Sequence, residues 1–402
     1  MSNESETLRH SDQLIPWDWF DRAHAGCPAH RADDGWLEVG RYEVVRDILK
    51  NNEVFSSFEL ADDPNNPLAG MMVQALVFAD EPIHTVQRRM VNRAFTPRRV
   101  EALVPRIERD VDDLIDRFVA AGACDIIESF AHPLPVGLIA DVVGVPLEDR
   151  EKFGRWADDF IVVVHEPTKA TERAKGLMEF VGYAIAKKEE RLALLAAGEE
   201  LPADLLTDLV VADGEQQLSQ EEFILITLQM LAAGHDSTTS MLGNAVYLLC
   251  SHPEEMRKLK GNPELIDGAI EETLRIASPV MWRSRTANSG YDLHGLRVEE
   301  GQRFRVSYGA ANVDPQVWDC PEEFRIDRDF TGKHHVAFGY GKHNCVGAAL
   351  ARWEGKIAVS RLLERLTDLR LDPDRPPVPR ESTEFSTAWQ SLHVIWTSEQ
   401  SQ

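Results

Sequence analysis

One long apolar segment, residues 219–253, constrains the fold more than any other part of the chain. Ser219 and Glu222 match a helix capping box, and Pro253 closes the run. A helix of about 30 residues would be roughly 45 Å long at ~1.5 Å per residue. Because its side chains are mostly apolar, we expect this helix to cross the interior, with the rest of the protein packed around it.

The middle of this predicted helix, residues 233–240 (AGHDSTTS), is poor in helix-forming residues. Asp, Ser and Thr side chains compete for backbone hydrogen bonds, so they are unfavourable at mid-helix. One interpretation is a polar face exposed to solvent. The other is a functional groove, in which Asp236 and a neighbouring hydroxyl relay protons. The apolar residues on both sides favour the functional groove.

A second constraint comes from a glycine-rich turn, residues 338–347 (FGYGKHNCVG), which places Cys345 just before a helical pattern. Amide donors and a helix N-terminus stabilise a thiolate, which could be a nucleophile, a redox thiol or a metal ligand. His343 could act as a base, but no Asp or Asn partner is evident from the sequence, and no second cysteine is close. An axial ligand to a metal or haem is therefore the strongest interpretation.

Composition narrows the class of protein further. The 402 residues include 43 Lys and Arg against 67 Asp and Glu, a formal net charge of −24, which argues against nucleic acid or an anionic membrane as partner. Five cysteines without a CxxC pair fit neither a disulfide framework nor a zinc ribbon. The N-terminal residues do not resemble a signal peptide, and no apolar run reaches the length of a membrane span. We therefore expect a cytoplasmic protein without a membrane anchor.

Periodicity predicts an α+β fold that is mainly α. Residues 97–250 carry a helical pattern, whereas residues 286–310 alternate like short strands joined by glycine-containing turns. A short strand, a turn and a helix are predicted over residues 35–51. Residues 58–80 form a predicted long loop, and loops of that length are often functional. No clear linker separates these parts, so we expect one domain.

Two further segments carry charges at helical spacing. Glu272 and Arg275 share one face of a helix predicted to begin at residues 262–263, and such a pair is usually a surface contact. His84 and Arg88 lie four residues apart on another predicted helix and could bind carboxylate or phosphate. A solvated basic face is the more common arrangement for such residues. Each segment alone therefore says little about function.

Together the four segments resemble the cytochrome P450 family, the haem-thiolate monooxygenases, over about residues 35–395. The turn matches the family pattern Phe-x-x-Gly-x-(His/Arg)-x-Cys-x-Gly at every fixed position. The resemblance implies the cytochrome P450 fold in a single domain, residues 1–402, with an N-terminal segment of residues 1–34 and haem b as cofactor. It implies that Cys345 is the proximal iron ligand. The other haem-binding residues that it implies are Phe338, Gly347, His343, His84, Arg88 and Arg285.

The resemblance also implies roles in proton delivery, structure and substrate binding. Asp236 with Ser237 or Thr238 would relay protons, and since Ser237 stands where the family pattern has Thr, the choice of hydroxyl is open. Glu272 and Arg275 would form a buried structural pair, joined by Arg328. The substrate-pocket residues that it implies are Met72, Phe78, Ala232, Ala233, Val280, Met281 and Trp389.

The expected activity is hydroxylation or O-dealkylation of a small or medium apolar organic substrate with O₂. Electrons would come from a ferredoxin or flavodoxin through a separate reductase. A basic patch of Lys342, Arg352 and Arg98 or Arg99 is expected to dock an acidic ferredoxin. The alternatives are a peroxide-using enzyme, an isomerase and a non-catalytic haem sensor. Asp236 and Ser237 favour the use of O₂, because the acid-alcohol pair is typically replaced in the first two alternatives.

Overall fold

The chain forms two compact units. The first comprises the chain up to Ser56, Val104–Leu134 and the chain from Ser237 onwards. The second comprises Ser57–Leu103 and Pro135–Asp236. The single domain expected from the sequence stays a prediction. The structure, a computed structural model, describes residues 14–25, 28–58, 75–165, 169–211, 218–380 and 386–397.

Helices dominate the fold and strands are short, which confirms the predicted α+β, mainly α, class. The helices are α1 (Trp17–Ala25), α2 (Tyr42–Lys50), α3 (Ile83–Ala94), α4 (Pro97–Phe118), α5 (Pro133–Val143), α6 (Arg150–His165), α7 (Ala170–Ala197), α8 (Leu205–Val210), α9 (Gln220–Ser251), α10 (Pro253–Gly261), α11 (Ile266–Ile276), α12 (Tyr308–Asn312) and α13 (Ala348–Arg365). The strands are β1 (His30–Arg31), β2 (Leu37–Val39), β3 (Phe55–Ser56), β4 (Ala123–Asp125), β5 (Trp282–Ala287), β6 (Tyr291–Leu293), β7 (Leu296–Val298), β8 (Arg303–Ser307), β9 (Thr367–Leu371), β10 (Val378–Pro379), β11 (Trp389–Ser391) and β12 (His393–Thr397).

The first unit contains a five-stranded sheet in the order β1-β2-β8-β5-β3. β2 and β8 are parallel, and the other neighbours are antiparallel. Phe55 on β3 and Phe304 on β8 are both fully buried, with ring centroids 5.4 Å apart and planes perpendicular. Tyr291 contacts Phe55 edge to face at 5.5 Å. This aromatic core fixes the sheet that includes β5, the strand of Arg285.

A second sheet in this unit joins distant parts of the chain in the order β4-β12-β9. Cys124 on β4 pairs with Val394 on β12, and Val394 pairs with Leu371 on β9. β4 lies in the region for which the sequence predicts mainly helix. Three residues are too few for a periodic signal, and their pairing partner lies near the other end of the chain.

The long helix predicted from the sequence is α9, which runs for 32 residues. The N–H of Ser219 donates to Glu222 Oε2 at 2.8 Å, and the N–H of Glu222 donates to Ser219 Oγ at 3.1 Å, which confirms the capping box. The helix is continuous through residues 233–240. At Gly234 an added Cβ would lie 2.8 Å from Ile139 Cδ1 of α5, so glycine there permits close helix packing. Among the described residues, no helix is both long and apolar enough to span a membrane.

The second unit packs α6, α7 and α8 together. The rings of Trp156 on α6 and Phe180 on α7 meet edge to face at 5.8 Å. Asp204 caps α8 by accepting the N–H of Thr207 at 2.8 Å, and it also accepts from Arg191 Nη2 of α7 at 2.9 Å. The Asp204 carboxylate therefore caps the N-terminus of α8 and also links α8 to α7 through Arg191.

Candidate functional site

Cys345 lies in a tight turn that the backbone closes on itself. Its N–H donates to the carbonyl of Phe338 at 2.8 Å. Gly339 and Gly341 have φ values of +72° and +74°, a left-handed conformation that favours glycine. A Cβ at Gly341 would lie 2.6 Å from the carbonyl oxygen of Leu49 on α2, so the turn also docks closely on that helix. The glycines therefore set the backbone path that carries Cys345 to the N-terminus of α13.

Cys345 differs from the other described cysteines in its surroundings. Burial raises the pKa of the Cys124 and Cys250 thiols to about 12, so both stay protonated at neutral pH. Cys320 is exposed but belongs to an irregular segment. Cys345 is exposed and directly precedes α13, whose N-cap is Gly347. A helix N-terminus stabilises a nearby thiolate, so Cys345 has the setting of a reactive or ligating sulfur.

Arg285 on β5 is a buried cation, with only 7% of its surface exposed. Its Nη1 donates to the carbonyl of Ser284 at 2.7 Å. No carboxylate among the described residues pairs with it. Because a buried guanidinium without a counter-ion is costly, this arrangement fits an anionic ligand group.

Glu272 and Arg275 form a fully buried ion pair in the first unit. Arg275 donates through Nε and Nη2 to the two carboxylate oxygens at 2.7 and 2.8 Å. Arg328 Nε reaches the same oxygens at 3.0 and 2.9 Å. Both arginines also donate to backbone carbonyls of residues 319–323, and Arg275 does so to Asn312. The three side chains therefore fix the path of the irregular chain that leads toward the Cys345 turn.

A second carboxylate on α11, Glu271, escaped the sequence analysis. It accepts from Arg352 Nε of α13 at 2.6 Å, from Arg352 Nη2 at 2.9 Å and from His335 Nε2 at 3.1 Å. Residues so far apart in the chain give no local sequence signal. The charge of Arg352 is offset by Glu271, so Arg352 adds less to the predicted docking patch, which stays a prediction. In the second unit, Arg99 is likewise paired, with Asp208.

The two candidate relay hydroxyls on α9 differ in exposure. Ser237 is partly exposed, whereas Thr238 is buried with 5% exposure. Ala233 is exposed and lies one helical turn before Ser237, on the same face. Asp236 is also partly exposed. The accessible face of the helix therefore carries Ala233 and Ser237 but not Thr238.

His84 and Arg88 lie on α3 of the second unit, as the sequence predicts for a helix there. His84 is buried, and its Nδ1 lies 3.8 Å from Glu81 Oε1. Arg88 is partly exposed and donates through Nε to Asn92 Oδ1 at 2.9 Å. Both side chains therefore have partners within their own helix or at its start.

Four of the predicted substrate-pocket residues have clear packing. In the first unit, Val280 forms an isolated bridge with Ser386, and Met281 is fully buried. Trp389 is buried too, and its ring lies 4.5 Å from that of Tyr247 on α9. In the second unit, Ala232 is buried. Met72 lies outside the described residues.

Phe78 belongs to a short 3₁₀ turn, Leu76–Phe78, that two glutamines hold in the second unit. Gln87 Oε1 accepts the N–H of Leu76 at 2.7 Å, and Gln229 Oε1 of α9 accepts the N–H of Val77 at 3.2 Å. Gln229 Nε2 donates to the carbonyl of Ala75 at 3.4 Å. Sequence reasoning missed both glutamines, although a polar Gln229 inside an apolar helix was a usable signal.

A mainly α fold with small sheets, in which a glycine turn presents a thiol at a helix N-terminus, defines a haem-thiolate class of protein. The chain belongs to the cytochrome P450 family, whose model matches residues 149–396. It is 38% identical over 351 residues to cytochrome P450 107B1 of Saccharopolyspora erythraea, covering 84% of this chain and 83% of that protein. It is 36% identical to cytochrome P450 monooxygenase PikC of Streptomyces venezuelae, covering 89% and 85%. The crystal structure of CYP109E1 from Bacillus megaterium in complex with testosterone is 30% identical, with a TM-score of 0.83 over 95% and 99% of the chains.

These comparisons confirm the family, the fold class and the class of enzyme predicted from the sequence. The protein is a cytochrome P450 monooxygenase, and its cofactor is haem b, which this family binds through a cysteine thiolate. The exposed Cys345 turn and the buried, unneutralised Arg285 fit such a cofactor, since haem carries both an iron and anionic propionates.

Proposed function

We propose that this monooxygenase inserts one oxygen atom from O₂ into a small or medium apolar organic substrate, by hydroxylation or O-dealkylation. Electrons come from a ferredoxin or flavodoxin through a separate reductase, and the protein acts in the cytoplasm. The observation that carries the proposal is the Cys345 turn, which presents a thiol at the N-terminus of α13. Haem b supplies the oxygen-activating chemistry when bound.

Cys345 is the proposed iron ligand. The N–H of Cys345 donates to the Phe338 carbonyl and so holds the backbone of the turn, and the nearby N-terminus of α13 favours the ionised sulfur. Phe338 and Gly347 belong to the same turn and are proposed to border the haem. Arg285 is proposed to neutralise a propionate, and its burial without a carboxylate partner in the part of the chain that the structure describes supports this role. His343, His84 and Arg88 are proposed to bind the propionates as well, on the strength of the family motifs.

Ser237 is the proposed relay hydroxyl, with Asp236 as its acid partner. The partial exposure of both side chains supports this choice, and the burial of Thr238 argues against the alternative. Asp236 would take up a proton from solvent, and the Ser237 hydroxyl would pass it on toward the pocket in which the haem binds. Serine keeps the hydroxyl of the family's threonine but rotates more freely about χ1.

The substrate is proposed to be apolar and of medium size. The testosterone complex of CYP109E1 supports this class, because testosterone is a largely apolar fused-ring molecule. The apolar character of the predicted pocket agrees with it. The pocket residues that we propose are Met72, Phe78, Ala232, Ala233, Val280, Met281 and Trp389.

The proposed ligation is tested by the reduced carbon monoxide spectrum of the purified protein. We expect the strongly red-shifted Soret band of thiolate ligation in the wild type, and its loss in Cys345→Ala. Cys320→Ala is the matched control, since Cys320 is also exposed, and it should keep the band. A wild type without this band, or a band that survives Cys345→Ala, would contradict the proposal.

The reaction is tested by turnover with NAD(P)H, a surrogate ferredoxin and its reductase. Candidate apolar ligands are first screened for the spin-state shift that follows displacement of the distal water. Those that shift should then accelerate consumption of the reductant and yield an oxygenated product. A haem sensor would bind the same ligands and consume no reductant.

A further inference from the structure

Glu271 on α11 links two side chains that come from other parts of the first unit. Its two oxygens accept a bidentate fork from Arg352, at 2.6 and 2.9 Å, and one of them also lies 3.1 Å from His335 Nε2. Bidentate arginine-carboxylate pairs fix both distance and orientation. We refer to Glu271, His335 and Arg352 as the clamp.

The hydrogen bonds of His335 indicate which ring nitrogen donates to Glu271. Its Nδ1 accepts the N–H of Ala337 at 3.3 Å, so the proton lies on Nε2, which donates to Glu271. The ring is almost completely buried, with 2% exposure of the side chain. Burial tends to raise the pKa of Glu271, but the hydrogen bonds from His335 and Arg352 and the charge of Arg352 outweigh it and lower the pKa to about 2. The carboxylate is therefore ionised at every pH at which the protein works.

Phe338, the first residue of the Cys345 turn, is packed by both arms of the clamp. Arg352 Cζ lies 4.5 Å from the centroid of its ring, a cation–π contact. The His335 ring lies 5.9 Å from the same ring, tilted by 41°. The carbonyl of Phe338 in turn accepts the N–H of Cys345 at 2.8 Å. Glu271 thus fixes two side chains that contact Phe338, and Phe338 in turn holds the backbone of Cys345.

We infer that Glu271 is a positioning residue for the Cys345 turn, and that the clamp holds the backbone of Cys345 in place by immobilising Phe338. The inference rests on the proposed ligation by Cys345. If Glu271 were only a stabilising ion pair, its loss would lower the stability of the whole protein without changing the state of the sulfur. The two roles therefore predict different spectra.

The experiment compares holoprotein of the wild type, Glu271→Gln and Glu364→Gln. Glu364 is the matched control, because it also pairs with an arginine, Arg361, at 2.9 Å. This pair lies at the exposed end of α13, the helix that carries Arg352. Two quantities are measured in buffer without denaturant. The first is the rate at which the red-shifted carbon monoxide band converts to the shorter-wavelength band of neutral-thiol ligation, and the second is the midpoint reduction potential. Loss of a charge-assisted hydrogen bond should speed the conversion by about tenfold in Glu271→Gln. The potential should rise, since a sulfur that is held less firmly at the iron donates less electron density to it.

Faster conversion and a raised potential in Glu271→Gln, with Glu364→Gln unchanged, support the clamp. A lower melting temperature in Glu271→Gln with the wild-type conversion rate and potential would overturn it and leave an ordinary ion pair. A wild type without the red-shifted band would overturn the proposed ligation by Cys345, and the clamp with it. Failure of the ligation therefore shows in the wild type, whereas failure of the clamp alone shows only in the variants. If Glu271→Gln does not accumulate as holoprotein, Arg352→Lys is measured in the same way. This variant keeps the charge but loses the fork, so unchanged conversion there would overturn the clamp as well.

Discussion

At the scale of single residues, the proposal that Ser237 relays protons follows from the accessible face of α9. Ser237 is partly exposed and Thr238 is buried. We expect Ser237→Ala to lower the product formed per NAD(P)H by about tenfold or more, since positioned proton donors commonly contribute factors of that size or larger. The missing product should appear as released peroxide. Ser237→Thr keeps the hydroxyl, so it should form as much product per NAD(P)H, the coupling ratio, as the wild type.

Thr238→Ala is the matched control for this experiment. It removes a hydroxyl one residue away, at a buried position, so it should cost stability and leave the coupling ratio near that of the wild type. If Thr238→Ala uncoupled the enzyme and Ser237→Ala did not, the assignment of the relay to Ser237 would be wrong.

Glu354 on α13 is the most unusual titratable residue that the mechanism does not use. It is only 3% exposed, its Oε2 has no hydrogen-bond partner within the described structure, and burial raises its pKa to about 8. In the unfolded chain this acid loses its proton above about pH 4.5, whereas the folded protein keeps it up to about pH 8. The contribution of Glu354 to stability is therefore greatest at low pH and is lost as the pH rises to about 8.

Glu354→Gln should remove this pH dependence. We expect the variant to gain stability relative to the wild type between pH 4.5 and 8, by up to about 3 kcal/mol at pH 7. The measurement is the free energy of unfolding by denaturant at several pH values, for both proteins. Equal slopes of stability against pH in the two proteins would show that Glu354 ionises normally.

At the scale of elements, two glutamines fix the turn that carries Phe78. Gln229 bridges α9 to this turn through the N–H of Val77 and the carbonyl of Ala75. We expect Gln229→Leu, which keeps the size but not the hydrogen bonds, to weaken ligand binding about tenfold, as loss of one or two buried hydrogen bonds predicts. The dissociation constant from the spin-state titration should rise, while kcat changes little.

Gln302→Leu is a suitable control, because Gln302 also bonds to backbone carbonyls, those of Gly35 and Arg303, but in the five-stranded sheet region. It should leave the dissociation constant unchanged. If Gln229→Leu binds the same ligands as tightly as the wild type, the turn does not depend on this glutamine.

Local sequence patterns predicted the positions of helices well, but they did not predict which distant segments pair as strands. The capping box at Ser219 gave the start of α9 to within one residue, because the signal lies within four consecutive residues. The helix predicted from residue 262 begins instead at Ile266, after a short 3₁₀ turn, since Asn262 caps the N–H of Glu264 and thus that turn. β4 was missed because only its distant partner β12 makes it a strand.

The candidate site likewise has one part that a local pattern predicts and one part that depends on long-range contacts. The Cys345 turn is a continuous pattern of ten residues and could be predicted in full from the sequence. The clamp on Phe338 could not, because Glu271 and Arg352 are 81 residues apart and each looks like an ordinary surface charge in its own helix. Long-range ion pairs of this kind emerge only when the fold brings the elements together.

At the scale of the whole molecule, the net charge of −24 repels an acidic electron donor. Such a donor must therefore dock on a local surface that carries positive charge. Lys342 lies in the Cys345 turn and is exposed, whereas Arg352 is held by Glu271. We therefore expect Lys342→Glu to slow electron transfer from a ferredoxin by about tenfold at low ionic strength, because charge steering mainly affects association rates. The slope of the rate against salt should also flatten, since screening weakens the attraction that Lys342 supplies.

Arg297→Glu makes the same change in net charge on an exposed position of β7 and serves as the control. If only total charge mattered, both variants would slow the reaction equally. If the donor docks at the Cys345 turn, Lys342→Glu alone should do so, and the difference should vanish at high salt. Stopped-flow reduction of the carbon monoxide complex at several salt concentrations measures both rates. Unchanged rates in Lys342→Glu would place the docking surface elsewhere, because Lys342 is the exposed cation within the Cys345 turn itself.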